Sequence, residues 1–266
     1  MNNIVNFYNN YDEEIRISTN KARKVEFKVT TSILNQYIKQ QDKIIELGAG
    51  TGVYSFYYAN KGNEVVATDI TPKHVEIINQ KLSKVNNSIK LQAQVANAID
   101  LRQYDSESFN VVLCLGPMYH LVNEKDRQEC ISEGLRLLKK GGILAVAYIN
   151  KHYVLNSVMT QDKRFLTHEF VDKILSSGTI EEGEKECFWT DAFFTTPSEM
   201  ELLVSNFHIK IIDHVATDGI SPFLGKLVDD MNDEEYEAWI HYNLCSCREK
   251  SILGSSNHAL MLCKKN

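Results

Sequence analysis

Apolar positions along the chain follow two rhythms. Between residues 43 and 150, short runs of consecutive apolar and β-branched residues alternate with longer stretches in which apolar residues recur every third or fourth place. "KIIEL" (43–47), "EVVATD" (64–69), "IKLQAQV" (89–95), "FNVVLCLG" (109–116) and "GILAVAYIN" (142–150) show the first rhythm and predict strands buried on both faces. The segments between them predict helices. "GVYSFYYANKG" ends at Gly62. A second helix starts at Thr71-Pro72, with Thr71 as N-cap and Pro72 in the first turn, and runs to about Asn86. "EKDRQECISEGLRLLKK" has a basic last turn and stops at Gly141-Gly142. This alternation predicts an α/β fold, a parallel sheet covered by helices on both faces.

The flanks differ. The first forty residues read as helical, and Val25, Val29, Ile33 and Tyr37 form one apolar stripe at steps of four. After Asn150 the rhythm breaks. Residues 151–194 hold two helical segments and an extended aromatic piece, "ECFWTDAFFT". Thr196-Pro197-Ser198-Glu199 is a capping box that opens a helix to about Asn206. The strand "FHIKIIDHVA" (207–216), a mostly helical stretch (220–251) and a last strand "HALMLCKK" (258–265) complete the chain. Seven strands are expected in the sheet, with 151–194 and 220–251 as additions over one edge. No internal repeat or low-complexity tract occurs.

Length and composition narrow the function. A chain of 266 residues with 43% hydrophobic content suits one domain with a substantial core. The net charge is −6, and no Lys/Arg run supplies the basic face that a nucleic-acid substrate calls for. No apolar stretch is long enough to span a membrane. The opening "MNNIVNFYNNYDEEIRIS" lacks the apolar region of a signal peptide. None of the six cysteines forms a CxxC pair, and Cys114 and Cys263 sit in apolar runs as buried thiols. The expectation is a cytoplasmic protein with reduced thiols and no membrane partner, either monomer or homodimer. His241, Cys245 and Cys247 follow no common zinc spacing, so no metal is expected.

The chemistry starts at "IIELGAGTGVYS" (44–55). Gly48, Gly50 and Gly52 follow a strand end at alternate positions, where positive φ and close backbone approach are cheap. Ligands of open α/β sheets bind at this end of the strands. Asp69 closes the next strand and is placed to accept from a ribose diol. The spacing is GxGxG. The third glycine of the dinucleotide fingerprint would fall on Val53, which opposes an NAD(P)-dependent oxidoreductase.

"ELGAGTGVYS", "VVATD", "ANAIDL" and "FNVVLCLGPMYHL" together resemble the motifs of the class I S-adenosylmethionine-dependent methyltransferases, over roughly residues 40–150. "TTPSEMELLVSNFHIKII" keeps the family's order. The opening "YNNYDEEIRI" and the ending "ILGSSNHALMLCKK" look like those of bacterial small-molecule methyltransferases. The resemblance implies a Rossmann-like, seven-stranded, mostly parallel sheet with an antiparallel last strand and a cap made of insertions. It implies one methyltransferase domain over 1–266: a helical lid (1–40), a cofactor-binding core (41–150), and cap segments for the acceptor (151–194 and 220–251).

The implied cofactor is S-adenosyl-L-methionine, leaving as S-adenosyl-L-homocysteine. Glu46 and the loop Gly48, Ala49 and Gly50 would hold its amino-acid part, and Asp69 its ribose. Ile70 would pack on the adenine. Asn97, followed by Ala98, stands where many members have Asp, and its amide carbonyl can still accept from the adenine amine. Leu115 and Gly116 would lie near the methyl donor. In the lid, Tyr11 would stack near the sulfonium and Arg16 would reach the cofactor carboxylate.

"GPMYHL" ends the fourth strand, where an acceptor would arrive for in-line displacement. His120 is the candidate base, and Tyr119 would orient the acceptor or wall its pocket. The plain alternative is structural: His120 caps a loop and Tyr119 packs on the cofactor. Gly116-Pro117-Met118-Tyr119 lacks the polar first residue of the (Asp/Asn/Ser)-Pro-Pro-(Tyr/Phe) motif of DNA amino-methyltransferases, which again speaks against nucleic acid. Tyr153, Phe188, Trp189, Phe193, Phe194, Phe223 and Trp239 would wall an acceptor pocket or pack the cap. The leading expectation is methyl transfer to nitrogen, oxygen or carbon of a small molecule. A peptide or protein acceptor, an NAD(P)-dependent oxidoreductase and a non-catalytic cofactor-binding protein are the alternatives.

Overall fold

Neighbouring residues of the central strands bury on opposite sides of one sheet. Ile44, Val65, Val111 and Ala145 enter one core, while Ile45, Val66, Val112 and Leu144 enter the other. Runs such as Ile44-Ile45 therefore show no polar alternation, because helices cover both faces. The computed structural model describes residues 2–11, 13–15, 19–85 and 89–266.

The chain opens with α1 (Asn2–Asn10), a 3₁₀ turn (Glu13–Ile15) and α2 (Lys21–Leu34). The alternating part comprises β1 (Lys43–Leu47), α3 (Val53–Asn60), β2 (Glu64–Asp69), α4 (Pro72–Leu82), β3 (Leu91–Val95), β4 (Phe109–Cys114), a 3₁₀ turn (Pro117–His120), α5 (Glu124–Leu137) and β5 (Leu138–Asn150). Then come α6 (Lys151–Gln161), a 3₁₀ turn (Lys163–Phe165), α7 (His168–Ser176), β6 (Thr179–Ile180) and β7 (Ala192–Thr195). The chain continues with α8 (Pro197–Ser205), β8 (Ile209–Ala216), α9 (Ser221–Asp229), α10 (Asp233–Ser246), α11 (Lys250–Ser255) and β9 (His258–Lys265).

The seven long strands lie in the order β3-β2-β1-β4-β5-β9-β8. The pairs from β3 through β5 are parallel, and β9 is antiparallel to both β5 and β8. Two strands join this expected set. β7 pairs with the last two residues of β5, and the two-residue β6 pairs with β7. Two predicted boundaries move. α4 ends at Leu82, and its expected end at about Asn86 lies outside the described residues. α5 ends at Leu137, and Leu138 already pairs with Phe109. The glycines expected to stop the helix lie inside β5, where Gly141 takes a left-handed φ of 75° at an irregularity of the β4–β5 ladder.

α2 buries Val25, Val29 and Ile33 in the first core, and α9 and α10 add Val228, Tyr236 and Ile240 to it. α5, α8 and α11 fill the second core with Cys130, Ile131, Met200, Val204 and Leu253. A smaller core joins α6, α7 and β7 to Tyr119 and Ile149. All six cysteines are free thiols. Among the described residues, no helix is long and apolar enough to cross a membrane.

The capping box of α8 also anchors the segment after β5. Glu199 accepts from the Thr196 backbone N–H with one oxygen and from the buried Lys151 ammonium, at 2.8 Å, with the other. Burial pushes the Glu199 carboxyl up, but the Lys151 and Thr196 hydrogen bonds outweigh it and hold the pKa below its ordinary value. A depressed carboxyl stabilises the fold above its unfolded pKa, and that contribution is lost as pH falls through the folded value. Glu199→Gln is expected to cost about 1–2 kcal/mol at neutral pH, a figure discounted because half of the side chain faces water. Urea unfolding should show the deficit shrinking in acid. A deficit independent of pH would rule out the ion pair as its source.

Candidate functional site

The C-terminal ends of β1, β2 and β4 open into one cleft. Its floor is made by contact between two loops. Gly48 has φ +66°, and a Cβ there would stand 2.8 Å from Pro117 Cδ in the turn after β4. A Cβ on Gly116 would stand 3.0 Å from the Gly48 carbonyl oxygen. Gly50, at φ +54°, has Glu13 Cγ 3.3 Å from its would-be Cβ, and Gly52, at φ +86°, has Ile78 Cγ1 at 3.0 Å. The three glycines are therefore demanded partly by the chain's own packing.

Glu46, Gly48, Ala49 and Gly50 line the cleft from β1 and its loop, and Asp69 and Ile70 line it from β2. Asn97 and Ala98 follow β3; Leu115, Gly116, Tyr119 and His120 follow β4. The structure thus brings twelve of the fourteen sequence-derived site residues to one cavity. Tyr11 is not among them. Its ring stacks on Phe7 at 5.4 Å, and Ile4 and Tyr8 of α1 and Glu13 face the cleft instead. Arg16 lies outside the described residues.

One end of the cleft is rich in buried acceptors. Glu46 is 2% exposed and accepts from the Ser55 hydroxyl. Burial, helped by the nearby Asp69 charge, raises its pKa to about 8 against the Ser55 hydrogen bonds. Asp69 accepts from the Gly50 and Thr71 backbone N–H groups, each at 2.8 Å, and its Oδ1 lies 3.2 Å from His74 Nδ1. A carboxylate only accepts, so His74 Nδ1 carries the proton, and in the neutral ring Nε2 is left as an acceptor. That Nε2 and the Thr71 hydroxyl are buried without partners among the described residues, and both residues line the cleft.

The other end holds a histidine in a set tautomer. His120 Nδ1 lies 3.0 Å from the Asp191 carbonyl, which can only accept, so Nδ1 carries the proton. In the neutral ring Nε2 then accepts from the Tyr8 hydroxyl at 2.8 Å. The Asp191 carboxylate ties this corner down, accepting from the Glu182 N–H and from Asn3 Nδ2 of α1. Tyr8 also meets His74 edge-on at 5.3 Å, so one tyrosine spans the two histidines.

The added segments contribute unequally. Trp189 reaches the site, its ring 4.9 Å from His120 and 6.2 Å from Tyr119. Tyr153, Phe188 and Phe194 line a separate cavity beside it. Phe193 lies under the Arg127 guanidinium, and Phe223 stacks behind Tyr153 at 4.2 Å. Trp239 stacks on Tyr242 and donates to Ser221, away from both cavities. Cys245 neighbours His241, but Cys247 turns to the Leu244 carbonyl. Glu26, Asp218 and His258 form another cluster of metal-ligand types. There Asp218 already accepts from Ser256, Asn257 and His258.

Residues 45–146 match the family model of the methyltransferase domain. That match falls within the core whose motifs resemble the class I S-adenosylmethionine-dependent methyltransferases, and supports that resemblance. The chain is similar to the erythromycin 3''-O-methyltransferase of Saccharopolyspora erythraea, 29% identical over 114 residues, 42% of this chain and 36% of that one. It is similar to the ubiquinone biosynthesis O-methyltransferase of Pelagibacter ubique, 33% identical over 109 residues, 41% of this chain and 42% of that one. The match thus spans well under two thirds of either relative. A Thermotoga maritima methyltransferase structure, described as a possible histamine N-methyltransferase, shares the fold: TM-score 0.61, 14% identity, 100% of this chain and 99% of that one.

The cleft suits S-adenosylmethionine, the cofactor of that superfamily, chemically. A buried acid with no cationic partner among the described residues complements an ammonium group. Asp69 has roughly four acceptor positions, three of them used, so a ribose diol needs the His74 nitrogen as a second acceptor. Sequence reasoning missed His74. Its signal was a polar residue in the first helical turn after Asp69.

Two outcomes are expected from calorimetry with S-adenosylmethionine. At neutral pH, binding should release about one proton, seen as a buffer-dependent enthalpy, because a cation beside Glu46 lowers its raised pKa. Glu46→Gln should abolish the release. Without ligand the same variant should resist urea better than the parent at about pH 9, since a raised carboxyl loses stability as pH climbs from its unfolded to its folded pKa. No buffer dependence would mean that Glu46 keeps its proton in the complex. Separately, His74→Met should weaken binding about threefold to tenfold, and unchanged affinity would remove His74 from the site.

Proposed function

We propose that this protein methylates a small-molecule acceptor, using S-adenosylmethionine, in the cytoplasm. One observation carries the reading. A single cleft has at one end the acceptors that an amino acid and a ribose require, and at the other a histidine whose Nδ1 proton is held by the Asp191 carbonyl. The free thiols support a reducing compartment.

In this reading Glu46 and the Gly48–Gly50 backbone hold the amino-acid part, and Asp69 and His74 share the ribose hydroxyls. Asn97 accepts from the adenine amine between Ile70 and Ala98. Leu115 and Gly116 flank the reacting centre. The cofactor supplies an electrophilic methyl group on a positively charged sulfur. The chain supplies alignment and a proton acceptor. Alignment is worth up to about 7–11 kcal/mol. The proton leaves the acceptor for His120 Nε2 once the Tyr8 hydroxyl gives up that nitrogen. The positive charge that leaves sulfur then rests on the imidazolium, whose Nδ1–H still donates to the Asp191 carbonyl. Tyr119 walls the acceptor side. The named activities of the two relatives, O-methylations, are consistent with acceptors that lose a proton.

His120→Gln is expected to lower methyl transfer to a metabolite extract, followed with labelled cofactor, by about 10²–10⁴-fold while cofactor affinity holds. Undiminished transfer would take His120 out of the mechanism. Failure of the parent protein to bind the cofactor would sink the whole reading.

A further inference from the structure

A second cavity, of about 420 Å³, lies beside the cleft and takes no part in the roles above. Its size is that of a small-ligand pocket. Five aromatic side chains line it: Tyr153, Phe165, Phe188, Trp189 and Phe194. Phe188 and Phe194 lie within 7° of parallel, and Phe165 meets Phe188 edge-on at 5.7 Å. Trp189 faces the cavity, and directly behind its ring are His120 and Tyr119, which line the cleft.

Charge is nearly cancelled in this cavity. Its charged lining residues, Asp162 and Arg164, are paired with each other: Arg164 Nε and Nη2 donate to both Asp162 oxygens. The Asn257 amide is engaged with Asp218. Burial and the Asp218 charge push the Tyr153 hydroxyl up, so it stays a neutral donor. An anion entering here would meet aromatic walls and no unpaired counter-charge among the described lining residues, at a desolvation cost; a cation would bear the same cost, which cation–π attraction to the rings offsets only in part. Flat rings would find partners at the usual offset and edge geometries.

We propose that this cavity is the acceptor site, and that the acceptor is an uncharged aromatic hydroxyl compound of the phenol class whose oxygen passes Trp189 to reach His120. The proposal rests on the methyltransferase reading above. The step balances. The phenol O–H gives its proton to His120 Nε2, and the oxygen bonds the methyl carbon. The carbon–sulfur bond breaks with its electron pair going to sulfur. Sulfur becomes neutral and the imidazole becomes imidazolium.

Three probes test it: naphthol, naphthoate and naphthylmethylamine, one ring system with a neutral, an anionic and a cationic group. Each is titrated calorimetrically into the full-length protein saturated with S-adenosylhomocysteine. Naphthol should bind at least about tenfold more tightly than either charged probe. Ser157→Phe, which fills the cavity from α6, should abolish naphthol binding and leave S-adenosylhomocysteine affinity within about twofold. Phe188→Ala, on the cavity's exposed rim, should weaken naphthol binding and serves if the first variant does not fold. With S-adenosylmethionine, mass spectrometry should detect the methyl ether of naphthol from the parent and not from His120→Gln. Equal binding of the probes, naphthol binding unaffected by the cavity variants, or no naphthol binding to protein that holds S-adenosylhomocysteine overturns the proposal and leaves the methyltransferase reading intact. A protein that does not bind S-adenosylhomocysteine overturns that reading itself.

Discussion

The loop after β1 and the turn after β4 touch, backbone against proline ring. A methyl group at Gly48 would fall inside van der Waals distance of Pro117, and one at Gly116 would press on the Gly48 carbonyl. Parallel pairing of β1 with β4 brings the two loops side by side, and the missing side chains let them close. Everything in the cleft is measured from this contact. Glu46 stands just before it on one side, and Tyr119 and His120 just after it on the other. A wider separation would still leave a sheet with helices, but the two halves of the chemistry would no longer share one cavity.

The cleft also keeps polar groups where they destabilise the protein. Glu46 is buried with a hydroxyl for company, and the acceptor nitrogen of His74 and the hydroxyl of Thr71 have no partners among the described residues. Each such group carries a desolvation cost that a purely structural interior would avoid. The cost sits on the side of the sheet where the strands end, against two large apolar cores. Stability is supplied in one place and spent in another, a common arrangement in proteins that hold a preformed site.

Much of this could be read before any coordinates. Ile44-Ile45 and Val111-Val112 announce strands covered on both faces, the Val25-Val29-Ile33 stripe announces α2, and Thr196 and Glu199 form the box their spacing predicts. The glycine loop was legible as a close approach, though not that Pro117, Ile78 and Glu13 were among the things approached. Tyr8 and Tyr11 are three residues apart near the start of the chain, and no local pattern says which one faces the cleft. β6 is two residues long, too short for any periodicity. The aromatics of 220–251 read equally as acceptor wall or as packing; what no local pattern shows is that α9 and α10 share a core with α2, a contact between residues some two hundred positions apart in the chain.

Asp191 holds the candidate base with its main chain rather than its side chain. Its neighbour Trp189 forms the partition between the cavities, so one short segment before β7 both shapes the second chamber and sets the proton on His120. A change of loop there cannot alter what the chamber admits without also disturbing the imidazole. Under the role proposed for this chamber, drift toward a new acceptor is tied to retention of the same tautomer. Divergence would be freer on the far walls, around Ser157 and Phe188, than at the partition itself.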